Sequence, residues 1–292
     1  KRQIKNYLSK EYKHYNDQII DLDKKLETEN EKVEIEGSDL RNFQHCFGYS
    51  IEDLELILHP MAEDAKEATG SMGDDTPLAV LSDKYRPLYH YFRQNFSQVT
   101  NPPIDSLREN KVMSLKTRFG NLGNILDFSK LTKDNIYVLN SPVLSNAQFE
   151  RFIKFFGNNN KVLDCTFNKD EDLESSINQL KLKAEQAVRE GIKQIILSDK
   201  NISENKMPMP MLLCIGAINT HLVKLGLRGY VSINVQTGDA LDTHSFATLI
   251  GVGATTVNPY LAFDSLYQRH SKKLFGNFTF DECVSRLSLI HI

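Results

Sequence analysis

From residue 136 onward the chain repeats one alternation: a short β-branched run, a stretch with helical spacing, then another β-branched run. The runs are IYVLNSPVL (136–144), KVLDCTF (161–167), KQIILSD (193–199), YVSINVQT (230–237) and ATTVNPY (254–260). Between them lie NAQFERFIKFF, LESSINQLKLKAEQAVREG, PMLLCIGAINTHLVKLG and THSFATLIGVG. A helix-sized crossover carries the chain back along the sheet, so that the next strand lies parallel to the last. The pattern therefore predicts an α/β fold, in which a mostly helical part before residue 136 is followed by βα units. These units form a parallel sheet or a partial, barrel-like arrangement. No convincing internal repeat accompanies them.

The part before residue 136 reads differently. Residues 1–36 are densely charged and poor in large apolar groups, which suits a solvated helix or connector. Over residues 40–68 the spacing of Phe43, Phe47, Ile51, Leu54, Ile57 and Leu58 is helical, in pieces separated by Gly48 and Pro60. Residues 78–96 read as a helix broken or restarted near Pro87, with Tyr85, Tyr89, Phe92 and Phe96 on one face as a core stripe. The closing segment FTFDECVSRLSLIHI reads as a helix that stops with Leu287, Leu289, Ile290 and Ile292 still to be buried, which suggests a piece of something longer.

Composition excludes several function classes. With 35 basic and 38 acidic side chains the formal net charge is -3, so there is no sequence-wide basic field to hold a nucleic acid. Cys46, Cys165, Cys214 and Cys283 are far apart and lack histidines at ligand spacing, which argues against a zinc site or a disulfide framework and for free thiols in a reducing compartment. No apolar run approaches the roughly 20 residues of a membrane span, and the N-terminus lacks the apolar core of a secretion signal. A cytoplasmic location is expected, an organelle being left open.

Three stretches invite chemistry. In TGSMGDDTPLAVLS (69–82), Asp74 and Asp75 could ligate a metal or act as an acid and base. Capping explains more: Thr76 is a good N-cap, Pro77 suits the first helical position, and the carboxylates face the positive end of the helix dipole. In QNFSQVTNPPIDSLREN (94–110), Asn101 precedes Pro102 and Pro103, which forces an extended, polyproline-like connector. Ser106 with Glu109 matches a capping box there, with Asp105 as the competing cap. The carboxyl ends of the expected strands carry Asp199, Lys200, Asp239, Asp242 and His244, where an open α/β sheet or barrel would place ligand-binding groups. A self-sufficient α/β enzyme would use Asp199, Lys200 and His244. The structural alternative is that Asp242 or Thr243 caps the following helix and that His244 is simply hydrogen-bonded.

Taken together, GSMGDDTPLAVLS, YHYFRQNFSQVTNPPIDSLRENKVMSLKTRFGN, LSDKN and GVGATTVNPYLAF, in that order, closely resemble the central domain of the large (α) chain of glutamate synthase over about residues 38–270. The resemblance implies a division into a charged connector (1–37) after a glutaminase domain, the central domain (38–275), and a truncated connector (276–292) toward an FMN-binding synthase domain. It implies a noncatalytic scaffold that links those two domains and helps to wall the ammonia path in glutamate biosynthesis from glutamine and 2-oxoglutarate. Thr100 and Asn101 are then the candidates for the ammonia passage. Ser71, Met72, Gly73, Asp74, Asp75 and Thr76 are the candidates for interdomain contact.

The same resemblance implies no catalytic, metal or cofactor-binding residue in this chain, which by itself is expected to be inactive. FMN and an iron-sulfur cluster belong to the parent enzyme, an oxidoreductase. Its partners are the amidotransferase and FMN-binding domains of the same polypeptide, with NADH, NADPH or ferredoxin supplying electrons, in some cases through a small subunit or module.

Overall fold

The computed structural model describes residues 19–27, 30–68, 86–92, 104–108, 114–120 and 135–289. Its strands are β1 (Ile19–Asp21), β2 (Thr117–Phe119), β3 (Ile136–Leu139), β4 (Asn160–Asp164), β5 (Thr166–Asn168), β6 (Gln194–Ser198), β7 (Lys206–Pro208), β8 (Ser232–Gln236) and β9 (Thr256–Asn258). The helices that matter below are α1 (Gly37–Cys46), α2 (His59–Asp64), α3 (Asn146–Phe156), α4 (Leu173–Arg189), α5 (Met211–Lys224), α6 (Thr243–Gly251), α7 (Tyr260–Ser271) and α8 (Phe280–Leu289).

Strands β4, β6, β8 and β9 form a parallel sheet in that order, with α4, α5 and α6 as successive crossovers. The chain just after β3 extends this sheet: the Leu144 N–H donates to the Val257 carbonyl at 2.9 Å, and the Val257 N–H to the Pro142 carbonyl at 2.8 Å. Of the two arrangements expected, the observed one is an open sheet, with β4 and the 142–144 extension at its edges among the described residues.

Side chains alternate across these strands, so each strand has two unlike faces. Ile195, Leu197, Ile233, Val235 and Val257 are fully buried on one face and share a core with Leu180 and Ala184 of α4, Cys214, Ile218 and Leu222 of α5, and Phe246 and Leu249 of α6. Burying each such aliphatic side chain stabilises the fold by roughly 1.5–3 kcal/mol before entropy is charged against it. The opposite face carries Gln194, Ser198, Asn234, Gln236, Thr256 and Asn258, all buried as well.

A second core lies beside that polar face. Strand β3 pairs parallel with β1 and antiparallel with β2. Leu22, Leu26, Phe119 and Leu139 pack there against Phe149, Phe152 and Phe156 of α3 and against Ile196. Residues 19–26 are thus not wholly solvated, contrary to the expectation for the charged leading segment. Leu22 and Leu26 supply the apolar anchors that its average composition conceals.

Helix α3 starts as its sequence dictates: Ser145 and Gln148 form a reciprocal capping box. Asp172 caps α4 through the Ser175 N–H at 2.9 Å. The expected break at Pro60 is corrected. The chain stays helical from Ile51 through Asp64, with a π-helical stretch, Asp53–Leu58, running straight into α2. The His59 N–H donates to the Leu54 carbonyl five residues back. Pro60 therefore falls in the first turn after a widened turn, where its missing N–H is tolerated. Near Pro87 the described part of the expected helix is a short 3₁₀ turn, Leu88–Tyr91, with Tyr89 buried and Phe92 half exposed. The remaining stripe residues, Tyr85 and Phe96, lie outside the described residues, as do Ile290 and Ile292.

Candidate functional site

A chain of amide and hydroxyl groups crosses the polar face of the parallel sheet. Ser198 Oγ donates to Gln236 Oε1 at 3.0 Å, Gln236 Nε2 to Asn258 Oδ1 at 3.2 Å, and Asn258 Nδ2 to Asn146 Oδ1 at 2.9 Å. Asn146 Nδ2 then donates to Asp264 Oδ1 at 3.0 Å. A parallel set joins Thr256 Oγ1 to Asn234 Oδ1 at 2.8 Å and Asn234 Nδ2 to Gln194 Oε1 at 2.9 Å. Gln236 and Asn234 are bonded to neighbours one strand over, and Asn258 ties the set to Asn146 and Asp264 on the covering helices, which makes strand order and register interdependent.

At the carboxyl ends of the strands this ladder gives way to acids and phenols. Asp199, just past β6, is fully buried. It accepts from the Thr237 hydroxyl, from the Gly238 N–H at 3.1 Å and from the Tyr260 hydroxyl at 3.0 Å. Burial pushes its carboxyl up to about 7, and the nearby Asp239 carboxylate adds to the rise, against the pull of its donors. Burial likewise pushes Asp239 up to about 6, opposed by the Met211 N–H at the start of α5 and by the nearby Tyr89 hydroxyl. That Tyr89 hydroxyl is buried and nevertheless completes no hydrogen bond of adequate geometry among the described residues. Burial also drives the phenols of Tyr49, Tyr89 and Tyr260 well above their ordinary range. Gly238 is required here by close approach: a Cβ would fall 2.4 Å from the Phe47 ring.

Asp264, in the first turns of α7, anchors the segment before α1. Its two oxygens accept the Glu34 and Ile35 N–H groups, each at 3.1 Å. Burial pushes it up to about 7, with the Glu34 carboxylate raising it further and Lys200 opposing.

The sequence-derived candidates sit as follows. Lys200 pairs with Glu34, and its ammonium lies 5.3 Å from the Tyr260 ring centre. His244 Nε2 is 2.9 Å from the Tyr89 carbonyl. Asp242 caps α6 through the Ser245 N–H at 2.8 Å and completes a capping box. Asp199, Lys200 and His244 thus share one edge of the sheet but make no bond to one another among the described residues. Asp105 acts as a cap, its Oδ1 accepting from the Leu107 and Arg108 N–H groups at 3.1 and 2.9 Å, and Glu109, the partner in the alternative box with Ser106, lies outside the described residues. Thr100, Asn101, Ser71, Met72, Gly73, Asp74, Asp75 and Thr76 lie outside the described residues.

Sequence reasoning missed Thr237, Asp264 and the three tyrosines around Asp199 and Asp239. The alternation of polar and apolar residues in SINVQ and TVN marks the amide face of the strands, but no local pattern marks Thr237, Asp264 or these tyrosines.

Beside Asp239 a cleft of about 830 Å³ opens, lined mainly by apolar groups such as Phe47, Leu88, Phe167, Met209 and Leu213. Among the described residues no cluster of three or more His, Cys, Asp or Glu is arranged to hold a metal ion. Cys165, Cys214 and Cys283 are buried and Cys46 is exposed, so the cysteines among the described residues do not form an iron-sulfur ligand set. No helix among them is long and apolar enough to cross a membrane.

Residues 42–287 match the family described as "Glutamate synthase central domain". The glutamate synthase [NADPH] large chain of Azospirillum brasilense is 48% identical over 284 residues, which cover 94% of this chain and 19% of that relative. The glutamate synthase [NADPH] large chain of Bacillus subtilis (strain 168) is 38% identical over 289 residues, covering 97% of this chain and 19% of the relative. The chloroplastic ferredoxin-dependent glutamate synthase of Spinacia oleracea is 42% identical over 235 residues, covering 78% and 14%. The chain therefore spans less than a fifth of the length of these relatives.

Proposed function

Because this chain belongs to the glutamate synthase central-domain family, we propose that it is the noncatalytic scaffold between an amidotransferase domain and an FMN-binding synthase domain, and that it helps to wall the passage of ammonia between them. The observation that supports this reading most directly is how the strand-end groups are used. Asp199 is saturated by three donors, Lys200 is held by Glu34, and His244 faces the Tyr89 carbonyl. A base or nucleophile needs a free partner within hydrogen-bond reach of its substrate, and each of these groups is already engaged structurally. The self-sufficient enzyme is accordingly the weaker reading.

In the proposed role Thr100 and Asn101 stand at the ammonia passage and residues 71–76 at an interdomain contact. A neutral wall suits the cargo, since ammonia must cross without protonation and without loss to bulk water. FMN and the iron-sulfur cluster then belong to the neighbouring domain. The domain is shared by relatives named for NADPH and for ferredoxin, so its role is independent of the electron donor. The test is made in the intact polypeptide, with Thr100→Val and Asn101→Leu together. Glutamine hydrolysis should continue while glutamate formation per glutamine consumed falls. Unchanged coupling would remove the passage assignment.

A further inference from the structure

Residues 30–36, just before α1, have no regular secondary structure, yet they are tied to three helices and to the turn after β6. The Glu31 N–H donates to Asp281 Oδ1 of α8 at 3.0 Å, and Lys32 Nζ to Glu150 Oε2 of α3 at 2.7 Å. The Glu34 carboxylate meets Lys200 just past β6, and the Glu34 and Ile35 N–H groups both end on Asp264 of α7. These ties are polar. None of residues 31–36 is fully buried, and Ile35 packs only in part against Leu40, Phe47, Tyr260 and Leu261, so apolar burial contributes little to holding this strap down. Gly37, at φ 66°, stands at its end in the left-handed region, a joint about which a segment can swing.

The tie at Asp264 is the one that a proton can switch. Asp264 is fully buried, and the strap's own backbone covers both of its oxygens, so the seated strap helps to keep water from that carboxyl. Among the described residues the charged groups that act on it most are Glu34, on the strap, which opposes its ionisation, and Lys200, which favours it but is shared with Glu34. Helix α3 presents the neutral Asn146 at 3.0 Å, and α1 the neutral Gln44, bonded to Ser265 at 2.8 Å. Glu150 of α3 and Asp281 of α8 lie at the other end of the strap, on Lys32 and Glu31. We propose that residues 30–36 are a proton-controlled latch, seated while Asp264 is protonated and lifted when it ionises. A protonated carboxyl keeps lone pairs on both oxygens, so its three N–H donors stay served. The ionised form, dry and facing the Glu34 carboxylate, gains hydration when the strap leaves. Lifting also separates Glu34 from Lys200, whose ammonium lies 5.3 Å from the ring centre of Tyr260, the donor to Asp199 at the strand ends.

Hydrogen exchange of the intact polypeptide, read on peptides that span residues 30–36 and corrected for the intrinsic rate at each pH, tests the latch. With the strap seated, Asp264 is pushed up to about 7, chiefly by burial, so the seated state holds the proton more tightly than a released, hydrated carboxyl. Seating is therefore favoured below the ordinary carboxylate range and weakens as pH rises. Protection of the Glu34 and Ile35 amides should fall by up to about tenfold per pH unit toward about 7 and level off above it. Peptides of β6 and β8 should stay far better protected than the strap at every pH, because the strap opens locally. Asp264→Asn should flatten the strap's profile. Because Asp264 also bonds to Asn146, that replacement can disturb the fold, and the profile of the unmodified protein then decides. A flat strap profile in the unmodified protein, strap protection equal to that of the sheet, or a slope that survives Asp264→Asn overturns the inference.

Discussion

Residues one position apart on β6, β8 and β9 live in opposite worlds. Ile195, Leu197, Ile233, Val235 and Val257 meet the helices, while Gln194, Ser198, Asn234, Gln236, Thr256 and Asn258 bond to one another across the strands. Both faces are dry, but they fail in different ways. An apolar contact is non-directional, so its loss costs the transferred area plus whatever cavity stays open. An amide ladder is directional, so removing one rung leaves the neighbouring rungs desolvated and unpaired. The apolar face supplies most of the stability, and the amide face ties each strand to the register of the next.

The largest expected effect lies on the apolar face. Leu197→Ala should destabilise the protein by about 2–5 kcal/mol, read from chemical denaturation. Asn258→Ala should cost less, about 1–3 kcal/mol, because Gln236 and Asn146 each lose a partner. Its cost should not add to that of Gln236→Ala; strict additivity in that double-mutant cycle would show that the ladder is not a coupled unit.

The third prediction concerns pH. Asp199 and Asp264 are pushed up to about 7 and Asp239 to about 6, so the folded chain holds these protons more tightly than the unfolded one. The stability contributed by these three groups should therefore be fully present below the ordinary carboxylate range and be lost as pH rises toward 7, by about 1.4 kcal/mol per pH unit for each group in its titrating range, whereas carboxylates held low, such as Glu150, act in the opposite direction at low pH. Asp264→Asn should make that slope shallower. An unchanged slope would show that Asp264 is not one of the groups responsible. The smallest effect is at the α6 cap, where Asp242→Ala should cost about 1 kcal/mol and shift the melting midpoint by a few degrees.

Much of the architecture could be read from local pattern. The four helix-like segments after residue 136 became α3 to α6, and the caps at Ser145, Asp172 and Asp242 place three of their starts. Pro60 misled because a proline breaks a helix only when the turn before it is regular, and the preceding π-helical stretch is not. The leading segment misled because its mean charge concealed Leu22 and Leu26. Of the candidate site, the strand-end acids were legible, since topology places any residue after a parallel strand at that edge. Their phenolic neighbours were not. Tyr49, Tyr89 and Tyr260 come from distant parts of the chain, and nothing local marks a tyrosine as the lid of a carboxylate rather than as a core stripe.

By itself the sequence determined the class of fold, the order of strands and helices, and the family, because periodicity, caps and long specific strings are properties of neighbouring residues. Only the tertiary structure decided what would cover the amide face and keep it dry, which carboxyls would lose their water, and what each would bond instead. Those outcomes depend on desolvation and on partners up to 230 positions away, as between Glu34 and Asp264, and such distances leave no local trace.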